Sequence, residues 1–235
     1  MESLKEKLKN ALESLYNEEV FPSLDVEKET AFVMQWGDKF PVAKNAGILF
    51  VGQAVNGWAK KEDQSFEKLF ARKDQMKWVD ERRHPKENPV MNKSSFWRVV
   101  KEISSKYYKV DDQWYSHVAW SNLYKISPNE SNGRGNPSKY SKDKQLDLCR
   151  RILQTEIEIL SPKYVILLTS GWERSGFLKK INDNQHTKPI DEQPFDKYKV
   201  KVYKIKDTYF FASVHPRSKD EKKHVNAIIS LLSKY

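Results

Sequence analysis

At 235 residues and 27.7 kDa, with 38% hydrophobic and 12% aromatic residues, the chain has the material for one well-filled core. A mean hydropathy of −0.79 and the lack of any long apolar run exclude a membrane span, and one cysteine, Cys149, excludes a disulfide framework, a thiolate zinc site and a protein-ligated iron–sulfur cluster. The formal charge is +10, but residues 1–30 hold four Lys against eight Asp+Glu, so they carry −4 and the rest carries +14.

Leu4, Leu8, Leu12 and Leu15 recur at helical spacing and predict an amphipathic helix, ended by Phe21-Pro22-Ser23. Residues 1–30 are expected to pack on a single domain spanning 1–235. The start is charged from Glu2 onward, without the apolar stretch of a secretory signal, so a cytoplasmic protein is expected. Ala46-Gly47-Ile48-Leu49-Phe50-Val51-Gly52 is apolar without alternation, which suits a strand covered on both faces. Phe96, Val99, Val100 and Ile103 then form one helix face, with Ser94 and Ser95 as caps. His117-Val118-Ala119-Trp120 is a second strand. Leu146, Cys149, Leu153, Ile157 and Leu160 line a longer helix, which gives Cys149 a packing role. Tyr164 to Thr169 is a third strand, and Asn182 to Asp196 reads as a surface loop. In Tyr198 to Ile205, Tyr198, Val200 and Val202 alternate with lysines. Through Lys206-Asp207 this segment pairs with a fourth strand, Thr208 to Val214, closed by His215-Pro216. Val225, Ile228, Ile229 and Leu232 mark a final helix. The alternation predicts a three-layer α/β/α sandwich around a central, mainly parallel four-stranded sheet.

In such a sheet, ligands bind beyond the carboxyl ends of the strands. The segments there are Gly52-Gln53-Ala54-Val55-Asn56-Gly57-Trp58, Ser121-Asn122-Leu123-Tyr124-Lys125 with the Asn- and Gly-rich stretch around Arg134, Ser170-Gly171-Trp172, and His215-Pro216-Arg217-Ser218-Lys219. They hold no metal-ligand cluster, no phosphate-binding GxxxxGK[ST] loop and no G-x-S-x-G elbow, so no metal or cofactor is expected. Amides with one histidine suit a planar polar ring, because an amide both donates and accepts along a base edge while aromatic rings stack on its face. The basic body fits a polyanionic partner and equally a solvated lysine surface. His84, His117, His186 and His224 show no partner spacing.

Three pieces in order resemble the uracil-DNA glycosylase superfamily: Ile48 to Ala54, Trp120-Ser121-Asn122-Leu123, and Ser213-Val214-His215-Pro216-Arg217-Ser218. The approach to the third strand, Ile159-Leu160-Ser161-Pro162-Lys163, is similar as well. The resemblance implies a protein that excises a deaminated or damaged base from a flipped nucleotide in DNA; a monomer is expected. His215 would stabilise the departing base anion, Asn122 would read the base edge, and Gln53 and Asn56 would serve the water-positioning loop. Arg217, Ser218, Lys219, Arg134 and Lys125 would hold phosphates. Trp58, Phe66 and Trp97 compete to stack on the base. The sequence departs from the family pattern in the first motif, where Ala54 stands in the usual acidic or amide slot and Val55 in that of proline. A nucleic-acid-binding module without chemistry, and a nucleoside- or nucleotide-processing enzyme, are the alternative readings.

Overall fold

The computed structural model describes residues 3–41, 43–55, 57–71, 76–80, 94–129, 136–170 and 176–235. In chain order the elements begin with α1 (Leu4–Leu15), β1 (Glu29–Ala31), β2 (Gln35–Trp36), β3 (Ile48–Gly52) and α2 (Phe66–Phe70). Next come α3 (Ser95–Tyr108), β4 (Val118–Asn122), β5 (Ile126–Pro128), α4 (Lys139–Leu160) and β6 (Tyr164–Leu168). The chain closes with α5 (Phe177–Ile181), β7 (Asp191–Phe195), β8 (Tyr198–Ile205), β9 (Thr208–Ser213) and α6 (Glu221–Leu232). These form two compact units, one of Met1–Gln35, Gly52–Lys73 and Ser121–Ser161, the other of Trp36–Val51, Asp74–Trp120 and Pro162–Tyr235.

The second unit is built on a seven-stranded sheet of order β2-β4-β3-β6-β9-β8-β7, whose β3 and β4 run on into the first unit at their last residues. β3 pairs parallel with β6 and β6 with β9, while β8 is antiparallel to both β9 and β7. Every residue of β3 and β6 is buried, which is why both read as apolar runs without alternation. The fold is α/β as expected, a mixed sheet parallel at its centre and consistent with a three-layer α/β/α sandwich. The sheet has seven strands where a four-stranded one is expected: the sequence marks β3, β4, β6 and β9 with their hairpin strand β8, and two more, β2 and β7, extend them. One of them, β7, corrects the expected loop at 182–196: Asp191 to Phe195 pair with Val202 to Tyr198. The strand lies at the sheet edge, where Pro194 does not interrupt a ladder.

Helix α3 begins at Ser94, whose Oγ accepts from Trp97 N–H (3.4 Å), and buries Phe96, Val99, Val100 and Ile103 as the spacing predicts. It packs on α6, and Arg98 grips Glu221 with Nε and Nη2 at 2.9 and 2.6 Å. Trp97 is 5% exposed, with its ring 4.8 Å from Trp120 and 5.2 Å from Trp78, so it is core and not a stacking platform.

In the first unit α1 opens on a capping box. Ser3 Oγ accepts from Glu6 N–H and Glu6 Oε2 accepts from Ser3 N–H (3.2 and 2.7 Å). Leu8, Leu12 and Tyr16 are buried, and the Tyr16 hydroxyl donates to the Phe32 carbonyl (2.7 Å). α1 packs on α4, and Arg151 pairs with Glu19. β1 and β5 form a separate antiparallel pair, with Ala31 opposite Ile126. Among the described residues no helix is long and apolar enough to cross a membrane.

Candidate base-recognition site

In the second unit, β9 delivers the His-Pro segment. Thr169 and Ser170, which follow β6, both donate from N–H to the Ser213 carbonyl (3.2 and 3.1 Å), and His215 N–H donates to Ser170 Oγ (2.7 Å). The His215 ring lies near-parallel to Phe96 of α3, 6.4 Å between centroids. Arg217 N–H donates to His215 Nδ1 (3.2 Å). Nδ1 is therefore an acceptor, and the neutral ring carries its proton on Nε2 as a donor. Burial first, then the charges of Arg217 and Lys219, hold this imidazole below its ordinary pKa of 6.5. A neutral ring with a fixed tautomer is a donor for a developing anion.

Arg217 and Ser218 are exposed on a turn closed by Lys219 N–H to the Pro216 carbonyl (3.0 Å), with Ser218 in the left-handed region at φ 59°. Lys219 Nζ donates to the Arg217 carbonyl (3.0 Å) and sits 5.0 Å from the Tyr198 ring centroid. All three expected phosphate contacts on this turn thus lie at or near the surface.

Helix α6 adds a second histidine, one that shows no partner spacing in the sequence. His224 of α6 is fully buried, its Nε2 lies 2.7 Å from Ser213 Oγ, and its ring stacks on Phe195 at 4.5 Å and 9°. Burial, reinforced by His215 and Lys219, pushes its pKa from 6.5 to about 4. The unfolded chain then takes up a proton that the fold excludes, so the stabilisation is complete above pH 6.5 and is lost as the pH falls to about 4. That window is worth roughly 3 kcal/mol. Urea unfolding between neutral and mildly acidic pH should show this loss, and H224Q should flatten it.

In the first unit, β3 ends on Gly52 and β4 on Asn122, and their loops are tied together. Leu123 N–H donates to the Gly52 carbonyl (2.9 Å) and Tyr124 N–H to the Gln53 carbonyl (3.0 Å). Gln53 is half-buried, with its Oε1 accepting from Asn136 Nδ2 (3.4 Å). Asn122 is 1% exposed, and its Nδ2 has no acceptor among the described residues. Burying an amide donor without a partner is unfavourable, so this group calls for an acceptor. Further along the first loop, Gln64 Nε2 and Ala59 N–H both donate to Thr30 Oγ1 (2.9 and 3.0 Å). Trp58 meets Phe32 edge-on (5.3 Å) and borders a cavity of about 900 Å3, also lined by Lys60, Lys61, Glu62, Asp63 and Asn129. Asn56 and Arg134 lie outside the described residues.

Two expectations in this unit are corrected. Phe66 is fully buried against Tyr16 (5.4 Å) and Phe70 (5.1 Å), and has no free face for a base. Lys125 is fully buried in an ion pair with Glu156 (2.8 Å), so its ammonium cannot reach a phosphate. Among the described residues no group of three His, Cys, Asp or Glu could hold a metal ion.

The fold defines a class: an α/β protein whose mixed sheet is parallel at its centre. The family model of the uracil DNA glycosylase superfamily matches residues 40–229, and the chain belongs to that superfamily. No curated protein matches it. The family resemblance of the three short motifs is borne out.

Proposed function

We propose that the protein binds DNA and excises a deaminated base from a flipped nucleotide. The observation that carries this reading is the buried Asn122 Nδ2 without an acceptor among the described residues. Deamination of cytosine replaces an amino donor at the base edge with a carbonyl acceptor. A buried donor favours the deaminated base and rejects the parent, which would oppose donor to donor. His215 Nε2–H stabilises the negative charge that the base carries away as the glycosidic bond breaks. Arg217, Ser218 and Lys219 bind the phosphate backbone, and Trp58 is the remaining described candidate to stack on the base.

Ala54 brings neither acid nor amide to the first loop. If the bond breaks before water attacks, the sugar cation needs little help from a base, and leaving-group stabilisation by His215 carries most of the rate. The same residue favours a second reading, a nucleic-acid-binding module without chemistry.

Uracil-containing and unmodified oligonucleotides separate the two. Base release from the first alone supports the glycosylase, whereas salt-dependent binding with no release across deaminated and damaged bases supports the module. In the first case N122A should lower discrimination for uracil by about ten- to a hundredfold, the equivalent of about 1–3 kcal/mol, with oligonucleotide affinity nearly unchanged.

A further inference from the structure

We propose that Lys125 and Glu156 are positioning residues: a fully buried clamp that fixes the backbone carrying Asn122. The functional part of this inference rests on the base-reading role given to Asn122 above. Glu156 reaches from α4 to both ends of the segment Ser121–Lys125. The Ser121 hydroxyl donates to Glu156 Oε2 (2.6 Å), and Lys125 Nζ donates to Glu156 Oε1 and Oε2 (2.8 and 2.9 Å). Lys125 Nζ also donates to Ser121 Oγ (2.6 Å), which closes a ring of three side chains that are all fully buried. The main chain of Lys125 is held too, with N–H directed at Cys149 Sγ (3.3 Å) and the carbonyl accepting from Phe32 N–H (2.8 Å). Inside the clasp, Leu123 and Tyr124 anchor on the Gly52 and Gln53 carbonyls.

The Asn122 Nδ2 has no polar tether of its own among the described residues. Its direction is therefore set by its rotamer and by the backbone beneath it, and that backbone is pinned at residues 121 and 125 by one carboxylate. A buried ion pair is no more stabilising than apolar residues of equal volume, so stability alone does not account for one here. Fixing the geometry of an adjacent recognition loop does, because small misplacements of a recognition group are expensive in rate.

The test is K125M/E156L in the full chain, an apolar replacement of the pair that leaves no buried charge. The 1H–15N signal of the Asn122 side-chain amide is assigned by its loss in N122A. The double variant should keep a cooperative melting transition while this signal shifts or broadens. Its kcat on a uracil-containing oligonucleotide should fall by about tenfold or more with KM little changed. An Asn122 signal unaltered in position and width, or a kcat equal to that of the wild type, would overturn the proposal. If the double variant does not fold, S121A removes one member of the ring without stranding a charge, and should move the same signal in the same way. If the wild-type protein releases no base, the glycosylase reading fails and the amide signal alone decides the clamp.

Discussion

Replacing His215 with glutamine is expected to lower base excision by about 10²–10³-fold, the usual effect of removing one preorganised donor from a developing anion. Oligonucleotide affinity should change little, because the neighbouring Arg217, Ser218 and Lys219 are retained. The pH profile of the wild-type protein distinguishes this role from simple packing. The imidazole titrates below 6.5 because it is buried beside Arg217 and Lys219. Protonation would place a hydrogen on Nδ1, directly against the Arg217 N–H that donates to it. The working form is the neutral ring, so activity should persist through pH 6.5 and decline only in more acid solution, as the lowered pKa is crossed. A decline centred above 6.5 would count against the assignment, and H215Q should abolish the acid limb along with most of the rate.

The second large effect is on stability. K125A removes the cation beside a fully buried carboxylate and is expected to destabilise the fold by about 3–5 kcal/mol, against about 1–3 kcal/mol for K125M/E156L, which leaves no buried charge and only the Ser121 hydroxyl without its partners. Urea denaturation of the two variants beside the wild type measures the difference directly. Equal destabilisation of both would mean that packing volume, and not charge, governs this position. The geometry favours charge, since the ammonium spends its hydrogen bonds on Ser121 and Glu156 and lies 5.7 Å from the Phe32 ring centroid.

Much of the fold was legible because the central strands are apolar throughout. Ile48 to Val51 and Tyr164 to Leu168 could hardly be anything but covered strands, and the Lys206-Asp207 turn joins Ile205 to Thr208 as the alternation implies. The edge was not legible. Asp191-Glu192-Gln193-Pro194-Phe195 has almost no strand propensity, and its pairing with β8 comes from a neighbour that offered a free ladder. β1 and β5 are three residues each, too short to show a period. Among the candidate residues, Asn122 and His215 stand out by their places at strand ends, whereas Lys125 reads as a phosphate ligand in the sequence because a lysine in a loop is normally solvated, and it is buried in the structure. The missing signal lay in α4. Glu156 falls on the same stripe as Cys149, Leu153 and Leu160, and an acid within an apolar stripe requires a buried partner. His224 carried the same kind of clue, four and seven residues before the buried Ile228 and Leu231.

The clamp also encloses the only cysteine of the chain. Cys149 Sγ donates to Gln145 Oε1 (3.2 Å) and receives the Lys125 N–H, and burial pushes its pKa up to about 11. Neither solvent nor an alkylating reagent can meet this thiol while α4 stays seated on the segment after β4. Its modification is therefore a clock: each labelled molecule records one opening of the helix that holds the recognition loop in place, timed independently of any substrate.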